Sequence, residues 1–507
     1  MTISVGDPLT FADVVAVAHG ASVSMSPSLE ATMAPARRIV EEAVDSGRAV
    51  YGISTGIGDL ASVRIDPTEA TRVQRDLLRS HATAVGPRLP REVVRAMLLL
   101  KARTFAFGYA GVRVALVERI IDFLNNNIHP VVPSQGSLGA SGDLAPLAHL
   151  ALPVIGEGRV EVDGNEVDAP EALGRAGLAP LDLSHKEGLA LVNGTEMMLA
   201  LGILTVTRAE RLARTADVTA AMTLEACLGT DRAFDADLIA ARPHPGAQKV
   251  AANLRALLAG SEIVSSHRES EHLVQDAYSL RCIPQVHGAY RDAFDYIRTT
   301  LERELASAVD NPTVLPDRGE VLSGGNFHGE ALALALDHLG LTLAGFATIA
   351  ERRIARLVDP DLNNGLSAFL TDDPGRRSGF MLAQYTAASL VSENRGLCWP
   401  ASSDSIPTSA GQEDHVSMGA TSGRRAATIL EHSETVIAIE ALAAAQGLDL
   451  RAPLEPAQMT GTARDLVRKV SAHLEEDRPL GPDIEAMTVL IRDGSFVEEV
   501  QGGLPLL

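Results

Sequence analysis

The chain has 507 residues, with 44 Lys and Arg against 65 Asp and Glu, and the resulting net charge of -21 opposes broad binding to phosphate backbones. Hydrophobic residues at 46% and charged residues at 21% give a globular rather than a disordered composition. Three cysteines, Cys227, Cys282 and Cys398, are too widely spaced to suggest a zinc site or a disulfide framework, and they fit a reducing compartment.

At ~150 residues per domain the length allows about three units, or one large helical enzyme. The first Arg is Arg37, so no signal or transit peptide is expected at the N-terminus. The apolar run Met197 to Thr207 lies between Glu196 and Arg208, and the run after Glu330 contains Asp337 and His338. A soluble cytoplasmic protein without membrane or nucleic-acid partners is therefore expected.

Glycine and proline often interrupt residues 1–190, with three glycines in Tyr51 to Gly58 and three more in Ser134 to Pro146, which predicts a loop-rich part. Arg159 to Val167, RVEVDGNEV, alternates valines around Asp163-Gly164 and predicts a hairpin. Thr195 to Leu228, Gly329 to Val358 and about Arg424 to Ala445 are rich in strong helix formers and predict long, mutually packed helices. The expected fold is mainly α: residues 1–507 act as one catalytic unit, in which a smaller loop-rich part, 1–190, bears the site and 191–507 form a long-helix bundle and C-terminal part.

The most unusual segment is Ser134 to Leu147, SQGSLGASGDLAPL. On composition alone, a flexible loop leading into an apolar helix is the commoner reading. A phosphate cradle fails, because no Lys follows the glycines and Asp143 would repel the phosphate. Ala140-Ser141-Gly142 permits a rarer reaction: the Gly142 nitrogen, unhindered by a side chain, can attack the Ala140 carbonyl and close a five-membered ring. Loss of the Ser141 hydroxyl as water then leaves an exposed methylidene carbon, an electrophile made from the chain itself.

GSLGASGDLAPLAHL resembles the signature of the aromatic amino acid lyase family, whose members build a 4-methylidene-imidazol-5-one from Ala-Ser-Gly. The resemblance continues in order through YGISTGIGDLA, RSHATAVG, KEGLALVNGTE, VQDAYSLRCIPQVHG, VDNP at 309–312, SGGNFHGE, SGFMLAQYTAASLVSEN and PTSAGQEDHVSM. Ser80-His81, and Glu413 with Met381, resemble the histidine-acting branch, which implies deamination of L-histidine to trans-urocanate and ammonia. An imidazole needs hydrogen-bond partners that a plain phenyl pocket lacks, and a site built with them discriminates strongly.

The chemistry needs help at both ends of the bond that breaks, since ammonium is a poor leaving group and the β hydrogen is barely acidic. The resemblance implies the ring from Ala140, Ser141 and Gly142 as the sole prosthetic group, with no metal. It further implies Tyr51 as base, with Tyr278 in the reacting set. Asn193 and Gln275 would position the ring and substrate, Arg281 the substrate carboxylate, Phe327 the space beside the ring, and His81 with Glu413 the imidazole. A homotetramer whose active sites draw loops from several subunits is implied as well. Read without the resemblance, Tyr51 is a buried tyrosine before a turn, Asn193-Gly194 a turn, Phe327 core, His81 a helix-end histidine and Glu413 a solvated charge.

Three positions depart from the histidine-type pattern: Ser54 where Asn is common, Ala277 in place of Pro, and Gly411 where Asn often precedes QED. They bear on rate and substrate range more than on reaction type. Gly56 to Ala61 loosely matches a dinucleotide-binding GxGxxA, but no strand–helix series follows. QEDH and the His267 to His272 region lack the ligand spacing of a metallohydrolase. The alternatives that stand are a tyrosine or phenylalanine ammonia-lyase or aminomutase of the same family, and an inactive helical scaffold. The last is argued against by the intact Ala140-Ser141-Gly142.

Overall fold

The computed structural model describes residues 2–47, 49–58, 62–269, 274–502 and 505–507. Ala61 of the dinucleotide-like pattern and His272 lie outside them. The long helices form where Ala, Leu, Met and Glu accumulate without proline: Glu196–Ala226, Glu330–Val358 and Gly419–Asp449. Ile283–Leu305, which the sequence reading does not single out, is a fourth. Glu330–Val358 is long and apolar enough to cross a membrane by composition, yet most of that stretch is buried inside the protein, as in a core helix. The hairpin pairs Arg159–Val162 with Asn165–Asp168, and positive φ at both Asp163 and Gly164 gives the turn the twist that two-residue hairpins require.

Within the loop-rich part, residues 1–190, helices alternate with loops. Leu29–Asp45, Ala70–His81, Arg91–Ala106 and Val114–Asn125 are all helices of three turns or more, separated by the glycine loops that dominate the composition. The chain divides into two compact units, one of Met1–Leu204, Arg298–Asp337 and Pro400–Arg424, the other of Thr205–Ile297, His338–Trp399 and Arg425–Leu507. These differ from the parts 1–190 and 191–507, because the polypeptide returns to the first unit twice and four of the divisions fall inside the long helices.

In the first unit, every residue of the Arg91–Ala106 helix from Val93 onward is buried, including three cations. Each cation caps helix ends. Arg95 donates to the Val17 and Leu124 carbonyls, Lys101 to those of Ala190 and Asn193, and Arg103 to that of Glu304. These carbonyls close four different helices, where unpaired acceptors and the helix dipole both favour positive charge. Burial still pushes the Arg103 guanidinium down to about 10, against the pull of Glu196 and Glu304.

Two buried carboxylates of the second unit, Glu440 and Asp217, are paired with cations. Glu440 accepts from Thr219 at 2.8 Å and Thr223 at 3.1 Å and from both Nε and Nη2 of Arg353. Asp217 accepts from His287 at 2.8 Å, Arg291 at 2.6 Å and Asn253 at 2.9 Å.

Candidate active site

A cavity of about 900 Å³ lies in the first unit. Ala140, Ser141, Tyr51, His81, Asn193, Phe327 and Glu413, distant in sequence, all line it.

The reactive tripeptide is held from two sides. Ala140 packs with Ala401, Val416 and Met418, and Leu138 covers the cluster. Met418 N–H donates to the Leu138 carbonyl at 2.8 Å, and Ser417 Oγ to that of Gly139 at 3.3 Å. On the other side Gly194 N–H donates to the Ser141 carbonyl at 3.4 Å, and Asp143 N–H to the Gly194 carbonyl at 2.7 Å. Gly142 has φ of 77°, and a Cβ there would lie 1.9 Å from the Gly194 oxygen. Only glycine fits, for backbone conformation and for space alike. This cradle, fitted around a bent Ala-Ser-Gly, suits the closure of a ring between Ala140 and Gly142.

Asp143 is wholly buried immediately after the tripeptide. Its Oδ2 accepts from Met197 N–H at 2.9 Å and Met198 N–H at 3.1 Å, in the first turn of Glu196–Ala226, and Ser137 Oγ donates to its Oδ1 at 3.3 Å. Burial pushes its carboxyl up to about 7, with Glu196 adding repulsion and the three donors opposing both.

Asn193 ends the Glu187–Val192 helix, where Lys101 fixes its carbonyl at 2.7 Å. Its Nδ2 donates to the Asn311 carbonyl at 3.4 Å, whereas its buried Oδ1 has no partner. A buried acceptor left open in a cavity wall costs ~1–3 kcal/mol unless something binds there, which sets Asn193 apart from an ordinary turn residue.

Tyr51 is carried by a loop whose neighbour Ile53 is anchored in a cluster with Ala36, Val40 and Val314. Its Oη accepts from Gly58 N–H at 3.1 Å. Ser54, at one of the departures, accepts from Val50 N–H at 2.9 Å and so closes the turn that bears Tyr51.

His81 is the last residue of Ala70–His81. Its Nδ1 lies 3.0 Å from the Leu77 carbonyl, an obligate acceptor, so Nδ1 carries the proton and Nε2 is left as an acceptor. Burial lowers its pKa below the usual histidine value, while the Leu77 carbonyl and the Glu413 charge pull the other way. Glu413 accepts from Thr408 Oγ1 at 3.0 Å and from Ser141 Oγ at 3.2 Å. Ser409 and Ala410, beside it, hold left-handed backbone at φ of 51° and 54°, a strain of ~1–3 kcal/mol each that marks a wall shaped for use. Gly411 follows at φ of 87°, a conformation that suits Gly and, less well, the Asn common at that position.

Two residues that sequence reasoning left without a role also line the cavity. The rings of His328 and His415 are nearly parallel, with centroids 5.9 Å apart. Glu330 N–H donates to His328 Nδ1 at 3.3 Å, which leaves Nε2 to donate to the His415 carbonyl at 3.3 Å. Both sit inside quoted segments, SGGNFHGE and QEDHVSM, so the signal was present but carried no chemistry of its own.

Gln275, Tyr278 and Arg281 are not among the residues lining this cavity; they belong to the second unit. Arg281 Nη1 donates to Gln275 Oε1, and its guanidinium lies 4.7 Å over the Tyr278 ring. Tyr278 is 71% exposed. Ala277, the third departure, begins the short Tyr278–Arg281 helix with a φ of -63° that proline would share. Among the described residues no group of three or more His, Cys, Asp or Glu is arranged to hold a metal ion.

The family model for aromatic amino acid lyases matches residues 9–469. A relative from Anaeromyxobacter dehalogenans, named histidine ammonia-lyase, is 51% identical, covering 97% of this chain and 98% of that one. The crystal structure of histidine ammonia-lyase from Trypanosoma cruzi matches with a TM-score of 0.92 at 42% identity, over 100% of this chain and 96% of that chain. A tyrosine aminomutase from Streptomyces globisporus matches with a TM-score of 0.93 at 37% identity, over 100% of both. On the sequence match over most of its length and the shared fold, the chain belongs to the aromatic amino acid lyase family.

Proposed function

We propose that this chain is a histidine ammonia-lyase that deaminates L-histidine without oxidation, releasing trans-urocanate and ammonia, and that Ala140-Ser141-Gly142 forms its methylidene-imidazolone. The observation that carries this reading is the meeting of Ser141, Tyr51, His81 and Glu413 around one cavity. Relatives 47–51% identical that bear the same name support it.

Once formed, the methylidene carbon supplies an electrophile for the substrate amine. The rest falls to side chains. Tyr51 removes the β proton, and the Gly58 N–H holds its oxygen in place. Glu413 and the free Nε2 of His81 present two acceptors to the substrate, a demand that the two N–H groups of an imidazolium meet and a phenyl ring leaves unpaired. The unpartnered Oδ1 of Asn193 takes a donor from the substrate amine.

Gln275, Tyr278 and Arg281 enter this reading from another copy of the chain in a homotetramer, which accounts for the exposure of Gln275 and Tyr278 on a single chain. Cytoplasmic location belongs to the same reading, in keeping with three cysteines that form no disulfide among the described residues.

Purified protein offered L-histidine, L-tyrosine and L-phenylalanine, with unsaturated and β-amino products followed, tests the assignment. Urocanate from histidine as the preferred reaction is expected. Tyr51→Phe should lower kcat by about 10²–10⁴-fold. Preference for either phenyl substrate, or a β-amino acid as main product, overturns the reading.

A further inference from the structure

Glu413 stands in the cavity wall as a substrate-binding residue, yet its contact in this structure is to the chain itself. Ser141 Oγ donates to Glu413 Oε1 at 3.2 Å. The carboxylate is not free to drift: Thr408 Oγ1 holds Oε2 at 3.0 Å, and the backbones of Thr408 and Glu413 pair reciprocally at 2.9 and 3.3 Å. Ser141 is held equally firmly by the Gly194 clamp and the apolar seat of Ala140. Asp143, the other nearby carboxylate, is turned to Met197, Met198 and Ser137 instead.

We propose that Glu413 acts before any substrate arrives, as the acid–base group that removes water from Ser141 while the prosthetic ring is made. The inference rests on the reading above that Ala140-Ser141-Gly142 cyclises. Ring closure joins the Gly142 nitrogen to the Ala140 carbonyl carbon, and the Ala140 oxygen leaves as water with the hydrogens of the Gly142 and Ser141 nitrogens. The second water is the one that concerns Glu413. Its carboxylate takes the Cα hydrogen of Ser141, and the electron pair left behind forms the Cα–Cβ double bond as the Cβ–Oγ bond breaks. The proton just taken passes from Glu413 to Oγ, which leaves as water, and Glu413 ends ionised as it began. Oγ lies two bonds from Cα, so a carboxylate in contact with Oγ serves both ends of the elimination. One side chain is thereby used twice, first on the chain and later on the imidazole.

Intact-protein mass spectrometry of the full chain, followed in time after synthesis, tests this without reference to turnover. The unaltered protein should be lighter than its sequence by two waters. In Glu413→Gln, chains lighter by one water, with the ring closed and the serine retained, should accumulate, and loss of the second water should slow by about 100-fold. Glu413→Asp keeps the charge but withdraws the carboxyl, and should slow the same step; it decides the question if circular dichroism shows the Gln variant unfolded. Loss of both waters in the variants at the parental rate overturns the role of Glu413 and leaves the lyase reading intact. An active parent protein at its full sequence mass overturns the cyclisation itself.

Discussion

Asp143 in the first unit and Asp217 in the second are both wholly buried carboxylates, yet they have been treated oppositely. Burial pushes Asp143 up to about 7, because its partners are two backbone N–H groups and a hydroxyl, with Glu196 nearby as a second negative charge. Burial pushes Asp217 up as well, but Arg291 and His287 outweigh it and hold the carboxyl below its ordinary range. At Asp217 a cation offsets the buried charge. At Asp143, directly after the tripeptide expected to react, the carboxyl is instead raised to about 7, and such perturbation gathers at functional sites.

The largest effect should come from removing the charge where it is paired. Asp217→Asn strands Arg291 beside a neutral partner in the interior and should cost about 3–5 kcal/mol in urea unfolding. Asp143→Asn keeps an oxygen for Met197 and Met198 N–H and removes a charge that has no cation, so its cost at pH 7 should stay within about 1 kcal/mol. Equal losses in the two variants would break the comparison.

The next effect is its pH dependence. The folded-state value of Asp143, about 7, exceeds the ordinary value of 3.8, so the native state holds the proton more tightly than the unfolded chain. Its contribution to stability is full below pH ~4 and is lost as pH rises to ~7, about 4 kcal/mol at ~1.4 kcal/mol per unit. Asp217 has the opposite sign: its contribution is present above the ordinary carboxylate value and lost as pH falls through the depressed one. Urea midpoints measured across this range should therefore fall with pH in the parent relative to Asp143→Asn. Parallel profiles would show that Asp143 is ionised throughout.

That contrast also explains what the sequence made legible. The tripeptide and its glycines could be read because their chemistry is local: the Gly142 nitrogen, unhindered by a side chain, attacks a carbonyl only two residues away. The long helices could be read because propensity accumulates over many turns. The Arg91–Ala106 helix could not be read as core, since Arg95, Lys101 and Arg103 look like a solvated face until the helix ends that they cap are known. Asp143 is in the same position: next to glycines it reads as a loop acid, and only the fold brings the start of Glu196–Ala226 to its carboxylate. Gln275, Tyr278 and Arg281 show the limit from the other side, for the roles expected of them come from the resemblance, while the exposure of Gln275 and Tyr278 comes from tertiary structure.

A smaller effect sharpens the picture inside the cavity. His81 is held below the usual histidine value mainly by burial, and the Glu413 charge is one of two influences raising it. Glu413→Gln removes that influence, so the ring should titrate at lower pH in the variant than in the parent. Labelled-histidine NMR, with His81→Gln to assign the resonance, would measure the change; a midpoint that stays put or rises would separate the two side chains electrostatically. The direction has a functional consequence. A histidine with a depressed native-state value stabilises the fold above its ordinary value and loses that contribution as pH falls toward the native one. Over the same window Nε2 gains a proton and stops accepting. Recognition of an imidazole N–H through His81 should therefore weaken on the acid side, as a rise in KM for L-histidine at constant enzyme mass.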